Sequence, residues 1–311
     1  MSLNLNGVFA AMPTPFNHEG EVAYDKLLEN MRYWNQTDLH GLVLLGSTGE
    51  FPHLSEAEKL KLMETVRSEM PAEKMLLTGT SELSTRQTIE MTRQAASHGA
   101  DAALIVTPFY YRKLLPDEQL AVHYQRVADA SPIPILIYLI PQFTGVYMRP
   151  EVIAALAAHE NIIGLKESSG DMQALNDLFR ELGSREFNVM VGSPVIMHQA
   201  LSGGAAGAIL AVGAVAPRAC TALMKAYKWG ETERATALQA RLAALAKVVG
   251  VPGIGHLKTA MDFTGLYGFL PRSPLPVPSD EEREQIRQAI ADSGFYEQRE
   301  DGVWAEKVDV D

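Results

Sequence analysis

The sequence predicts an α/β protein, a (β/α)₈ TIM barrel with a C-terminal helical extension. Two observations carry this. Eight short apolar runs, rich in Val, Ile, Leu and Ala, lack polar alternation, as strands buried on both faces do. Longer amphipathic segments separate them, and strand then helix, repeated every ~25–35 residues, calls for parallel pairing with right-handed crossovers. An open doubly wound sheet is the rival. It usually places a Gly-x-Gly-x-x-Gly turn after its first strand, and residues 7–16 contain none.

Taken in order, the strand runs are residues 8–12, 42–45, 75–78, 102–106, 133–138, 162–165, 189–191 and 206–211. Helical segments include 56–70, 85–98, 116–130, 150–158, 172–182 and 194–201. Ser55 and Ser84 stand at N-cap positions, and Pro150 and Pro194 in first turns, where a missing N–H costs nothing. Gly203-Gly204 reads as a helix end rather than a phosphate loop. The barrel is expected over residues 1–230. Residues 231–299 follow as an extension packed on it, with helices at 231–250, 254–263 and 280–292 and a proline-rich loop at 270–279. Residues 300–311 form a charged tail, expected to be poorly ordered or fixed only by contacts.

The 311 residues, 47% hydrophobic and 21% charged, suffice for a large core without staples. A single cysteine, Cys220, cannot form an intramolecular disulfide, which fits a reducing compartment, and the cytoplasm is expected. There is no apolar run of the ~18 residues a membrane span needs, and residues 1–6 are short and polar, unlike a secretory leader. The net charge of −11 argues against nucleic acid as a partner, while a local pocket can still take a small anion. No His-Glu-x-x-His or Cys-x-x-Cys spacing supports a metal. A Gly-x-Ser-x-Gly nucleophile elbow is also missing.

Barrel active sites form at the C-terminal ends of the strands, so polar residues there are the candidates. Lys166 directly follows the sixth apolar run. A lysine at an apolar barrel mouth loses solvation, which frees its amine as a nucleophile. On spacing alone, a surface lysine past a strand end is the plainer reading. Tyr138 closes the fifth run and is either a proton carrier or a core aromatic with its hydroxyl at the rim. Tyr110 and Tyr111 follow the fourth run and suit an oligomer contact equally well. Gly46-Ser47-Thr48-Gly49-Glu50 follows the second run. Its hydroxyls and amides suit a carboxylate, though such loops also cap helices, and Glu50 reads as structural.

As an ordered set, Gly46-Ser47-Thr48-Gly49-Glu50, Thr107-Pro108-Phe109-Tyr110-Tyr111, Tyr138 with Pro141 and Thr144-Gly145, and Gly164-Leu165-Lys166-Glu167-Ser168 resemble the dihydrodipicolinate synthase / N-acetylneuraminate lyase family over residues 7–291. The resemblance implies a (β/α)₈ barrel with a helical extension, assembled as a homotetramer or homodimer. It implies Lys166 as the Schiff-base lysine, Tyr138 as proton relay, Ser47 as the hydroxyl between Tyr138 and a neighbouring subunit's tyrosine, and Tyr110 as that tyrosine. Thr48 would hold the carboxylate of the 2-oxo acid. The imine is the electron sink, so no cofactor is expected beyond it. Ser168, Gly192, Ile209 and Phe143 complete the expected substrate-binding set.

Within the family the pattern is closest to 4-hydroxy-2-oxoglutarate aldolases, through Gly49-Glu50-Phe51-Pro52, Ser131-Pro132-Ile133-Pro134 and Lys166-Glu167-Ser168 with Gly170-Asp171. Those aldolases have asparagine where Thr48 stands and another near Gly213. Dihydrodipicolinate synthases place a carboxylate-clamping arginine where Phe143 stands, which is not a conservative exchange. The expected reaction is cleavage or formation of a 2-oxo-4-hydroxy acid from a small 2-oxo acid and an aldehyde, with 4-hydroxy-2-oxoglutarate giving pyruvate and glyoxylate as the specific case. Dihydrodipicolinate synthase, 2-oxo-3-deoxy sugar-acid dehydratase and a non-catalytic metabolite-binding barrel are the alternatives.

Overall fold

The computed structural model describes residues 3–310; Met1 and Ser2, from the polar start, and Asp311, from the charged tail, lie outside the described residues. Eight parallel strands close into a barrel: β1 (Val8–Ala11), β2 (Gly41–Leu44), β3 (Met75–Gly79), β4 (Ala102–Val106), β5 (Ile135–Leu139), β6 (Ile162–Glu167), β7 (Asn188–Val191) and β8 (Gly207–Leu210). Each pairs with its sequence neighbour, and β8 returns to β1 through Val8–Ala208 and Ala10–Leu210. Closure leaves no barrel edge unpaired.

Helices alternate with the strands: α1 (Tyr24–Asn35), α2 (Glu56–Glu69), α3 (Thr85–Ser97), α4 (Asp117–Ala130), the single turn α5 (Pro141–Thr144), α6 (Pro150–Leu156), α7 (Met172–Leu182), α8 (Met197–Gly203) and α9 (Pro217–Lys228). Ser55 caps α2 in a full capping box with Glu58, and Ser84 accepts from the Gln87 N–H to cap α3. Pro150 opens α6 as expected. The segment from Pro194 splits into a 3₁₀ turn, Pro194–Ile196, before α8, and Gly204 ends α8 at positive φ. The extension follows as α10 (Thr232–Val249), α11 (Ile254–Phe263) and α12 (Asp280–Asp292).

Pleat parity divides the core in two. Phe9, Val43, Leu77, Leu104, Leu136, Met190 and Ile209 fill the inside of the barrel. The alternate strand residues face the helices, where Leu175, Leu178 and Leu182 of α7 are buried at helical spacing. Each such leucine contributes about 2 kcal/mol of burial free energy. No single described helix is long and apolar enough to cross a membrane.

The charged tail differs from a loose end. After α12 the chain forms a two-stranded antiparallel hairpin, β9 (Tyr296–Gln298) with β10 (Trp304–Glu306). Contacts fix it: the Glu306 carboxylate accepts from Tyr33 Oη at 2.5 Å and from the Ala219 N–H at 3.0 Å. A residue distant in sequence thus caps the first turn of α9, whose own Ala216 makes no side-chain cap.

Candidate active site

Lys166 lies inside β6 rather than past its end, because Tyr138 pairs with Lys166 and Leu139 with Glu167 at the strand tops. Tyr138 and Leu136 face the barrel interior, so their register partners Lys166 and Gly164 share that face. Lys166 is 5% exposed, and its Nζ stands 4.3 Å from the centre of the Tyr138 ring. Ser47 Oγ lies 3.5 Å from the Tyr138 hydroxyl, a loose hydrogen bond of the sort that tightens around a substrate. The structure therefore brings Lys166, Tyr138 and Ser47 together.

The same parity carries across the barrel. Lys166 pairs with Met190, and Met190 with Gly207, which sets Gly192 and Ile209 on the inward face. Ile209 belongs to the inner core, without exposed surface. Ser168 is buried with no hydrogen-bond partner for its Oγ, and that hydroxyl sits against Gly192, where a Cβ would stand 1.8 Å from it. A buried hydroxyl lacking a partner is costly unless a ligand supplies one. Glu167, pointing away from the barrel interior, accepts from the Ser169 N–H at 2.8 Å. Burial raises its pKa despite that bond.

Ser47 and Thr48 are half-buried on the loop after β2. Two tight turns shape it: Gly49 N–H donates to the Gly46 carbonyl and Glu50 N–H to the Ser47 carbonyl. Thr14 Oγ1 donates to the Gly49 carbonyl at 2.6 Å. Glu50 then turns inward with φ 57° and meets Lys258 of α11 at 2.7 Å, both side chains fully buried. Burial pulls the Lys258 pKa down to about 8, against the pull of Glu50. Arg272 adds a backbone N–H bond to Glu50 and ties Glu58 of α2 at 2.6 Å. The extension thus anchors the loop that carries Ser47, a role that sequence reading gave only to Glu50, as a structural residue.

Tyr110 and Phe143 do not join this group within one chain. Tyr110 is 71% exposed and packs edge-on against Tyr111, and Phe143 is 66% exposed. Leu114 and Tyr147, on the same two loops, are also exposed. At the opposite end of the barrel lies a broad hollow of about 770 Å³, lined by Leu3, Asp129, His159, Asn161 and Ile163. It holds none of the candidate residues. Its polar groups bind locally: Asn161 Nδ2 donates to the Ala128 carbonyl and His159 contacts Asp129. Among the described residues no group of three His, Cys, Asp or Glu side chains could hold a metal.

A closed parallel barrel with a buried lysine against an inward tyrosine is an arrangement that suits a Schiff-base barrel lyase. Comparison with known proteins narrows this. The dihydrodipicolinate synthetase family matches residues 4–293. A 4-hydroxy-tetrahydrodipicolinate synthase of Methanothrix thermoacetophila is 36% identical over 292 residues, covering 91% of this chain and 95% of that protein. The protein named probable 4-hydroxy-2-oxoglutarate aldolase, mitochondrial, of Emericella nidulans is 32% identical, covering 92% and 94%. The dihydrodipicolinate synthase structure from Aquifex aeolicus superposes with a TM-score of 0.86 at 29% identity, covering 93% of this chain and 98% of that one. The chain belongs to the dihydrodipicolinate synthetase family. It is a class I aldolase or lyase of that family, whose members work through a covalent lysine–pyruvate imine without an external cofactor.

Proposed function

We propose that this enzyme cleaves or forms a 2-oxo-4-hydroxy acid, with 4-hydroxy-2-oxoglutarate giving pyruvate and glyoxylate as the specific reaction. The contact of Lys166 Nζ with the Tyr138 ring, 4.3 Å from its centre, carries the reading. Lys166 attacks the C2 carbonyl; the carbinolamine loses water and becomes an iminium. The C3–C4 bond then breaks, its electron pair passing into the iminium as an enamine, while the C4 hydroxyl gives up its proton and leaves as the aldehyde. Tyr138 takes that proton and returns one to C3. Water finally releases pyruvate from the lysine. The half-buried Ser47 and Thr48 support a carboxylate site that fixes the 2-oxo acid for attack. The unpartnered Ser168 hydroxyl supports a further substrate contact beside Gly192, with Ile209 below it in the core.

Tyr110 in this reading enters the site of a second copy of the chain. Tyr110, Tyr111, Leu114, Phe143 and Tyr147 are all exposed on the loops after β4 and β5, beside Arg112 and Lys113, which supports an interface between copies there. The assembly is a homodimer or homotetramer and the compartment cytoplasmic, in keeping with the buried, unpaired Cys220.

Borohydride reduction in the presence of pyruvate, mapped by mass spectrometry, tests the mechanism. A reduced adduct on Lys166, lost in Lys166→Ala, is expected; a folded protein without adduct would overturn the reading. Release of pyruvate from 4-hydroxy-2-oxoglutarate then tests the substrate. A second reading, 4-hydroxy-tetrahydrodipicolinate synthesis, is favoured by the name of the Methanothrix relative and opposed by Phe143. Condensation of pyruvate with aspartate semialdehyde would select it.

A further inference from the structure

With Phe143 on the loop after β5, a charge that grips the far end of the substrate has to come from another residue. Two arginines serve the neighbouring loops. Arg149 is committed: its Nε lies 2.6 Å from Asp117 and its guanidinium 3.7 Å from Glu118. Arg112 is not. It opens the 3₁₀ turn Arg112–Leu114, directly after Tyr110 and Tyr111 at the C-terminal end of β4. Among the described residues its guanidinium has neither an ion-pair partner nor a side-chain hydrogen bond. Lys113 beside it adds a second positive charge, while Phe143, Thr144 and Gly145 add none.

Arg112 leans across to the loop after β5. A Cβ on Gly145 would stand 2.6 Å from Arg112 Nη1 and 3.2 Å from its Cδ, so the guanidinium lies directly against the Gly145 backbone, and a side chain there would push it aside. Gly145 also has φ +64° and ends α5, the single turn that begins three residues after Tyr138. An uncommitted planar fork with five N–H donors thus lies between the loops that follow β4 and β5, the first carrying Tyr110 and the second leaving the strand of Tyr138.

We infer that Arg112 is a specificity-determining residue that binds the distal carboxylate of the substrate, so that the enzyme prefers 2-oxo-4-hydroxy diacids, whose aldehyde half is itself an anion. This deepens the proposed Schiff-base reading and rests on it. Phe143 then serves as an apolar wall beside the charge, and Arg149 plays no part.

The test uses imine trapping with borohydride, which needs no turnover. Probes are 2-oxoglutarate, which has the distal carboxylate, 2-oxopentanoate, which lacks it, and pyruvate, which has no distal end. Wild-type Lys166 should trap 2-oxoglutarate at lower concentration than 2-oxopentanoate. Arg112→Ala should raise the half-saturating 2-oxoglutarate concentration about 10- to 100-fold, the range of a charged hydrogen bond. It should leave 2-oxopentanoate and pyruvate trapping as they were, with Arg112→Lys in between. Equal trapping of the two longer acids by wild type, or an equal shift of both in Arg112→Ala, would overturn the inference while leaving the imine intact. Failure of wild type to trap pyruvate would instead sink the Schiff-base reading, and this inference with it.

Discussion

Tyr138 is approached from two sides, by Lys166 at its ring and by Ser47 at its hydroxyl. Removing the oxygen alone therefore separates packing from proton transfer. Tyr138→Phe should keep the melting temperature while turnover falls about 100-fold or more; steady-state kinetics alongside thermal melting checks this. Gly192 gives a second residue-scale prediction. Gly192→Ala drives a methyl into Ser168 and should destabilise by about 1–3 kcal/mol, part of it recovered in the Gly192→Ala/Ser168→Ala pair, as measured by urea unfolding. Lys166 and Tyr138 each end an apolar run, which marks them as candidates, but spacing alone reads them as a surface lysine and a core aromatic; the family resemblance singles them out, and the strand register shows why they meet. The Ser168–Gly192 contact was not legible as a contact, since it depends on the spacing of two strands that share no local signal.

At the scale of elements, start signals read well where a side chain makes its bond within three residues, as Ser55 and Ser84 do. They fail where the partner is remote. Lys258 lies in a helix and looks like any polar-face lysine; only the fold shows that it meets Glu50. Removing one partner of a buried ion pair strands the other, so Lys258→Met should cost about 3–5 kcal/mol and loosen the Ser47 loop. Pairing it with Glu50→Gln should recover much of that loss in chemical denaturation. The β9–β10 hairpin escaped for the same reason: three-residue strands in a charged stretch give no periodic pattern. Glu306 is only partly shielded as a residue, yet its carboxylate is enclosed, and that burial pushes its pKa from 4.5 to about 7, against the bonds from Tyr33 and Ala219. Between those values the folded chain keeps a proton that the unfolded chain has lost. Stability from this group is therefore full below pH ~4.5 and falls as pH rises to about 7. Wild type should lose more melting temperature than Glu306→Gln over that window in parallel thermal melts.

At the scale of the whole molecule, the barrel followed from eight strand–helix units together with the missing Gly-x-Gly-x-x-Gly turn, because strands buried on both faces also build open doubly wound sheets. Assembly did not follow, since exposed aromatics on two loops suit an active-site rim and an interface equally. Leu114→Asp places a carboxylate on the exposed loop after β4. It should yield smaller particles in analytical ultracentrifugation and lower turnover with the fold intact by circular dichroism. Unchanged particle size would count against an interface there.

The carboxylate that completes the first turn of α9 belongs to Glu306, 87 residues further along the chain. A ribosome adding about 5–20 residues per second reaches it on the order of ten seconds later. Until then the helix that follows the last barrel strand has an open N-terminus, although all eight barrel strands have already been made. Nascent chains halted between residues 230 and 300 should hold a barrel that is easily cut by protease near residue 217, and the cut should vanish once residue 306 has emerged.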